Sequence, residues 1–354
     1  MPADEDVLEE RATGTRDLYD IATWEPRTVL DRLAVGLYRL GTLVFRALVV
    51  LLGLAIIVVQ FVLGGIGATF AESPIAIALV AFSVIPALAL AAYIYTSDVT
   101  TGEPAELLVG TFSLGVLLAG FAAVANSTLS AVGAIPAVGV VLFFYLVVGP
   151  VEESVKLLAV RIYAYRDDRF DAVVDGAVYG AAAGLGFATI ENALYISRQL
   201  GMGTKSVALV PVAIFGVSLE QVIGQGGGIT AVRALAGPGH VIYSAFAGYY
   251  LGLAKFNREH FGPIVLKGLL IAAFIHGTYN VTAQVALGRL PGLFPDVPPF
   301  AFFVGFVLLY DGLFGYILLR KLSRYRGVYR ALATSDADEQ AAATLSPERT
   351  EFEE

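Results

Sequence analysis

Long apolar runs alternate with short polar links along most of this chain, and the runs have the length of membrane spans. A helix needs about 20 apolar residues to cross the hydrocarbon core of a bilayer. By that measure the pattern predicts helices near 44–66, 75–96, 107–126, 131–149, 173–196, 206–223, 238–254, 263–287 and 299–319. Residues 1–33 read as an acidic cytosolic lead-in without a secretory leader, and 331–354 as a disordered acidic tail. The stretch between them, 34–330, reads as one membrane domain with no internal repeat.

Loop charge sets the number of crossings, because cytoplasmic loops collect Lys and Arg. Four basic groups stand out: Arg27, Arg32, Arg39 and Arg46; Lys156, Arg161, Arg166 and Arg169; Lys255 and Arg258; and Arg320, Lys321, Arg324, Arg326 and Arg330. Nine crossings would put the last two groups outside, whereas eight put all four inside, with both termini cytoplasmic. The run to drop is 206–223, which is short, contains Pro211 and ends in Glu220-Gln221 ahead of Gly226-Gly227-Gly228. It reads as re-entrant. The expected fold is thus all-α, a polytopic bundle of about eight spanning helices.

Composition agrees. The chain of 354 residues is 57% hydrophobic and 15% charged, with a mean hydropathy of +0.73. A soluble domain is about half apolar and a quarter charged. The absence of cysteine excludes disulfides, thiolate metal ligands and a cysteine nucleophile. Net charge is −8, and much of the acid lies in the two tails. Acidic tails with little lysine suggest a salt-adapted prokaryote. No basic face is left over for nucleic acid.

Against this background the polar residues inside apolar runs become conspicuous, since ionisable groups in a membrane segment are costly and usually functional. The first cluster is Gly149-Pro150-Val151-Glu152-Glu153-Ser154-Val155-Lys156. Lys156 lies one turn from both glutamates and can neutralise one of them. Adjacent helical residues point about 100° apart, so the two glutamates have different roles. The second cluster is Gly176, Gly180 and Gly184, a narrow helix face, followed by Glu191-Asn192. Glu191 lies seven residues after Gly184, on the packed side. The third is Gly237-Pro238-Gly239-His240, which reads as a helix start, with the dipole keeping the imidazole neutral. The fourth is His276-Gly277-Thr278-Tyr279-Asn280, with His276 and Asn280 one turn apart. Asp311 reads as structural and His260 as a solvated loop residue. Each cluster taken singly has a bland reading as a satisfied interior residue or a cap. Together they supply what activation of a water requires: a carboxylate base, imidazoles for a metal or an oxyanion, and an amide donor.

With these residues in view, the chain resembles the PrsW family of polytopic membrane proteases, within the wider group of type II CAAX prenyl proteases and bacteriocin-immunity-type proteins. The resemblance rests on Glu152-Glu153-x-x-Lys156, Phe187-x-x-x-Glu191-Asn192, His240 with Gly248 downstream, and His276-Gly277-x-x-Asn280, and covers about 130–290. It implies an intramembrane endopeptidase acting on a membrane-embedded or membrane-proximal substrate, such as an anti-sigma-factor-like protein. It implies catalytic Glu152, Glu153, Glu191, His240, His276 and Asn280, supported by Lys156 and Asn192. Prenyl proteases have a histidine where Glu191 stands, which argues against CAAX processing. Glu191, His240 and His276 are then the expected ligands of a Zn2+ ion, with a metal-free glutamate mechanism open beside it. Glu152 and Glu153 are expected to wall a cavity open to the cytoplasm. A proton-coupled carrier built on the same residues is the alternative, although carriers commonly show repeated halves.

Overall fold

A computed structural model of the chain describes residues 26–63, 67, 75–96, 102–201, 213–214, 217–218, 226–287 and 290–345. Its long elements are helices: α1 (Val29–Leu63), α2 (Ile75–Tyr95), α3 (Ala105–Thr128), α4, α5 (Val173–Gly201), α6 (Gly226–Lys255), α7 (Phe261–Val281) and α8 (Pro299–Leu345). Helix α4 is composite, running from Gly139–Phe143 through a π turn at Phe144–Val148 into Gly149–Ile162. Pro150 has no N–H to donate to the preceding turn, and the π turn sits where that bond is missing. A second π turn, Thr282–Ala286, prolongs α7. Ala55 closes one compact unit, and Ile56–Glu354 form a second that contains every helix from α2 onward.

Among the described residues six helices, α1, α2, α3, α5, α7 and α8, are long and apolar enough to cross a membrane. The other two, α4 and α6, complete the expected eight long helices but carry the charges: Glu152, Glu153, Lys156 and Arg161 on α4, and Arg233, His240 and Lys255 on α6. Helix α6 is covered by protein over most of its length, from Val241 through Leu251 to Ala254. The expected re-entrant segment 206–223, with Glu220, lies largely outside the described residues. Within it, Ala213–Ile214 and Val217–Ser218 pair as two short antiparallel strands.

Two boundaries differ from the sequence expectation. The apolar run read to 149 continues as helix to Ile162, and Glu152 and Glu153 are buried within it. Helix α6 begins at Gly226 rather than Pro238, which now lies inside it. His240 is therefore several turns from the helix N-terminus, and the dipole argument for its neutrality fails. Proline is tolerated inside membrane helices because neighbouring groups re-satisfy the freed carbonyl.

The bundle is built around α5, which is buried along most of its length against α2, α3 and α6. Its glycines explain the fit. A Cβ on Gly176 would meet the Gly248 carbonyl, one on Gly180 the Ser244 carbonyl, and one on Gly184 the His240 carbonyl. Small residues let backbones approach this closely, and such packing drives helix association where lipid offers no hydrophobic gain. These pairs fix α5 and α6 as antiparallel. Gly149 against Ala273 and Gly277 against Phe144 do the same for α4 and α7, whereas α3 runs parallel to α5, with Glu103 beside Tyr179, Gly115 against Ala183, and Ala119 and Ala122 packed on Phe187. Consequently the 163–172 and 256–260 connections lie at one end of the bundle, together with the Arg320–Arg330 stretch of α8. The 129–138 and 287–298 connections lie at the other. At the first end Lys255 Nζ donates to the carbonyls of Tyr165, Asp167 and Phe170, and Asp175 accepts from the backbone N–H of Asp171 and Ala172, closing the turn into α5.

Gly180→Val should separate α5 from α6 and cost about 3 kcal/mol, the upper end for overpacking. Gly312→Ala, where an added Cβ meets nothing within 4 Å, should leave stability unchanged. Thermal unfolding of the two purified variants in detergent checks the pair.

Candidate active site

Buried polar side chains from α3, α4, α5, α6 and α7 meet in an arc along a cavity of about 600 Å³. The arc begins on α4. Glu153 is fully buried, with Oε1 accepting from Lys156 Nζ at 2.7 Å and lying 2.8 Å from His276 Nδ1. Its Oε2 accepts from Ser244 Oγ at 3.4 Å. Glu152, one residue earlier, faces the cavity instead. Its Oε1 accepts from Asn126 Nδ2 at 3.1 Å, while its Oε2 is buried without a hydrogen-bond partner. That oxygen lies 3.7 Å from His276 Nε2 and 3.8 Å from Lys156 Nζ. The two neighbouring carboxylates thus differ as their 100° separation requires: one is saturated, the other has a free oxygen in the cavity.

His276 bridges them, with Nδ1 toward Glu153 and Nε2 toward Glu152. Its ring meets that of His240 edge-on, with centroids 5.4 Å apart, and lies against Tyr243. His240 has contacts at both nitrogens: Lys156 Nζ at 3.0 Å from Nδ1 and Glu191 Oε2 at 2.8 Å from Nε2. An ammonium only donates, so Nδ1 accepts and Nε2–H donates to Glu191. Glu191 also accepts from Arg233 Nη2 at 2.6 Å. Arg233 Nε donates to Asn192 Oδ1 at 2.7 Å, and Asn192 Nδ2 donates in turn to Ser83 Oγ at 3.0 Å on α2.

The sequence-derived residues therefore come together, in distinct positions. Glu152, Glu191, His240, His276 and Asn280 line the cavity. Glu153, Lys156 and Asn192 stand behind its wall, almost wholly buried. Asn280 is half-buried, one turn beyond His276. Two further members escaped the sequence reading. Arg233 falls between the expected helices 206–223 and 238–254, and Asn126 is the last residue of the expected helix 107–126. Asp311 on α8 is buried and accepts from Tyr243 Oη at 2.7 Å, so it supports the ring that packs on His276.

A metal is one thing this arc can hold, and the donor set differs from the expected Glu191, His240 and His276. Among the described residues, the ligand atoms that converge within 4.8 Å of one another belong to Glu152, His240 and His276. Glu191 is instead committed to Arg233. Two imidazoles and a carboxylate suit a catalytic metal with an open position, and the unpartnered Glu152 oxygen is a ligand atom without other work. His240 joins only by releasing Glu191 or Lys156. Charge points the same way. With both imidazoles neutral, Lys156 and Arg233 offset Glu153 and Glu191, and Glu152 is left without a counter-charge.

The mouth of the cavity lies at one end of the bundle. Its lining runs from the arc to Asn126, Ser127 and Gly133, and to Arg198, Ala283 and Gln284. These mark the ends of α3, α5 and α7 at the 129–138 and 287–298 end. The cavity leads away from the basic connections, not toward them.

A family model described as PrsW family intramembrane metalloprotease matches residues 103–310. The chain belongs to the PrsW family. It is 30% identical over 218 residues to a protein named protease PrsW of Geobacillus kaustophilus, covering 61% of this chain and 85% of that one. The protease PrsW of Bacillus subtilis is 30% identical over 209 residues, covering 57% and 81%, and that of Clostridioides difficile 26% over 206 residues, covering 57% and 78%. No solved structure matches. As a PrsW-family member this multi-span protein is an intramembrane protease, and the carrier reading is not favoured. The matched region is wider than the motif core of 130–290. It takes in α3 with Asn126, and stops one residue short of Asp311.

Removing Arg233 from the PrsW-family site leaves Glu191 uncompensated. Arg233→Met should cost about 3 kcal/mol, as breaking a buried pair does, and Glu191→Gln in the same chain should restore most of it. A double-mutant cycle on unfolding free energies reads the coupling.

Proposed function

We propose that Glu152 is the group that works on the attacking water, that Glu153 positions rather than reacts, and that the substrate is a single-span or membrane-anchored protein cut at a peptide bond drawn into the cavity. The single observation carrying this is the buried, unpartnered Glu152 Oε2 facing the cavity beside His276 and His240. A carboxylate there accepts the proton of a water aimed at the scissile carbonyl and later returns it to the leaving amine. Asn280 supplies an N–H toward the oxygen of the tetrahedral intermediate. Lys156, by holding Glu153, keeps His276 Nδ1–H oriented and its Nε2 lone pair on the cavity.

In a metal-dependent form of the site Zn2+ is the metal that two imidazoles and a carboxylate favour; Glu152, His240 and His276 would hold it, and Glu152 as a ligand would no longer be the base. Bound there, it would acidify water and polarise the carbonyl. Glu191 then serves with Arg233 as an anchored carboxylate at the edge of the site. Regulated cleavage of an anti-sigma-factor-like protein is the biological role we favour for such a site.

The positive-inside rule puts the basic connections in the cytoplasm. The cavity mouth then faces the extracytoplasmic side of the cell membrane, and the substrate enters from there.

Co-expression with a panel of single-span substrates tests the assignment. Glu152→Gln should lower cleavage by 10²- to 10⁴-fold, the span of a general base, with the protein still folded. Wild-type cleavage in that variant would sink the proposal. Zinc content of the purified enzyme should be one per chain and absent in His276→Ala.

Orientation has its own check, because the chain lacks cysteine. In intact cells Ser127→Cys and Gln284→Cys should react with an impermeant maleimide, whereas Arg258→Cys should react only after permeabilisation. The reverse pattern would turn the mouth to the cytoplasm.

A further inference from the structure

At the basic end of the bundle, away from the active site, a second cavity of about 840 Å³ lies between α6 and the lower part of α8. Arg320, Lys321 and Arg324 line it together with Tyr249, Ser323 and Tyr325. Between Asp311 and Asp336 the helix has five cations and no carboxylate. Several cations elsewhere in the bundle are matched. Arg169 pairs with Glu106 and Asp167, Arg233 with Glu191, and Lys255 caps three carbonyls. Arg320, Lys321 and Arg324 have no carboxylate partner among the described residues. Lys321 is held in place by two aromatic faces, its Nζ 4.7 Å from the Tyr249 ring centroid and 5.1 Å from that of Tyr250. In a chain whose net charge is −8, three adjacent cations without an acid call for an external anion.

The same helix face shows what kind of anion. Leu309, Leu313 and Ile317 precede Arg320, Lys321 and Arg324 at helical spacing. Leu309 is 78% exposed, Leu313 54% and Ile317 42%. The stripe is an apolar surface for acyl chains, and it runs directly into the cationic groove. Tyr249 and Tyr325 stand where apolar gives way to charged, the position interfacial aromatics take in membranes.

We propose that this groove binds the headgroup of an anionic phospholipid, with phosphate oxygens on Arg320, Lys321 and Arg324 and the acyl chains lying along Leu309, Leu313 and Ile317. Ser323 adds a hydroxyl donor for the phosphate or the glycerol. Basic pockets between membrane helices favour such headgroups, and the continuous apolar stripe selects a lipid over a soluble phosphate. The site is independent of the protease assignment, so either can fail alone.

The test uses the full-length protein, delipidated in detergent and titrated separately with phosphatidylglycerol, cardiolipin, phosphatidylcholine and inorganic phosphate. Retained lipid is read by native mass spectrometry and stabilisation by melting temperature. Both anionic lipids should be retained at least tenfold more tightly than phosphatidylcholine and should raise the melting temperature, with no response to inorganic phosphate. Arg320→Gln, Lys321→Gln and Arg324→Gln combined should weaken anionic-lipid retention by about 100-fold, at about fivefold per cation. Arg320→Lys with Arg324→Lys should keep it. If the triple variant does not fold, Arg324→Gln alone should show its own fivefold loss, and Arg258→Gln, outside the groove, should show none. Equal retention of phosphatidylcholine, undiminished retention in the Gln variants, or equal stabilisation by inorganic phosphate would each overturn the proposal.

Discussion

The site depends on one buried ammonium. Lys156 is 1% exposed inside an apolar bundle, where an unpaired charge costs several kcal/mol. It is stable there only because it is surrounded: Glu153 at 2.7 Å, His240 Nδ1 at 3.0 Å, Glu152 at 3.8 Å, and the Phe187 ring face at 4.3 Å from its centroid. The rest of the arc follows from these contacts. Glu153 is neutralised and bound to His276, so it stays behind the cavity wall while fixing the His276 ring. His240 is forced into the tautomer that donates to Glu191. Glu152, one residue farther along the helix and 3.8 Å from the ammonium, keeps an oxygen unclaimed. A single cation thus makes two adjacent glutamates chemically unequal.

Helix packing determines whether those groups can reach one another. The α5–α6 seam pairs Gly176 with Gly248, Gly180 with Ser244 and Gly184 with His240. Carried two turns further, the same register sets Glu191 opposite Arg233, which is where their 2.6 Å ion pair lies. The glycines therefore do more than allow close approach. They fix the sliding position of two antiparallel helices, and with it the carboxylate that His240 meets. A side chain larger than glycine on this seam would move His240 away from both Lys156 and Glu191, so stability and site geometry are coupled through one interface.

Much of this was legible in the sequence, because membrane physics makes polar residues in apolar runs conspicuous. Glu152, Glu191, His240, His276 and Asn280 stood out for that reason, and the narrow glycine face of α5 gave the side they share. What was lost follows from local rules that the bundle overrides. Pro238 looked like a helix start, yet α6 runs through it from Gly226, and the misplaced boundary hid Arg233. Gly149-Pro150 looked like the end of a span, yet a π turn absorbs the proline and carries α4 on to Ile162. Asn126 could not be found from its own surroundings. Its significance lies in a carboxylate 26 residues away, and no periodicity records such a pairing.

The position of the mouth now follows from where charge is satisfied. At the basic end Lys255 and Asp175 saturate backbone groups and close the turn into α5, leaving little for a substrate to engage. At the opposite end the lining of the cavity passes through the polar side chains of Asn126, Gln284 and Arg198. A peptide bond in a membrane helix is protected because its carbonyl is already hydrogen-bonded and water is absent. Cleaving it requires a route that brings water inward and lets the strand unwind against polar partners. The arc lies at the inner end of this polar-lined cavity, with Glu152 on its wall. Depth, polarity and a missing counter-charge therefore coincide at Glu152, and it is this coincidence, more than any one residue, that distinguishes the site from the buried ion pairs around it.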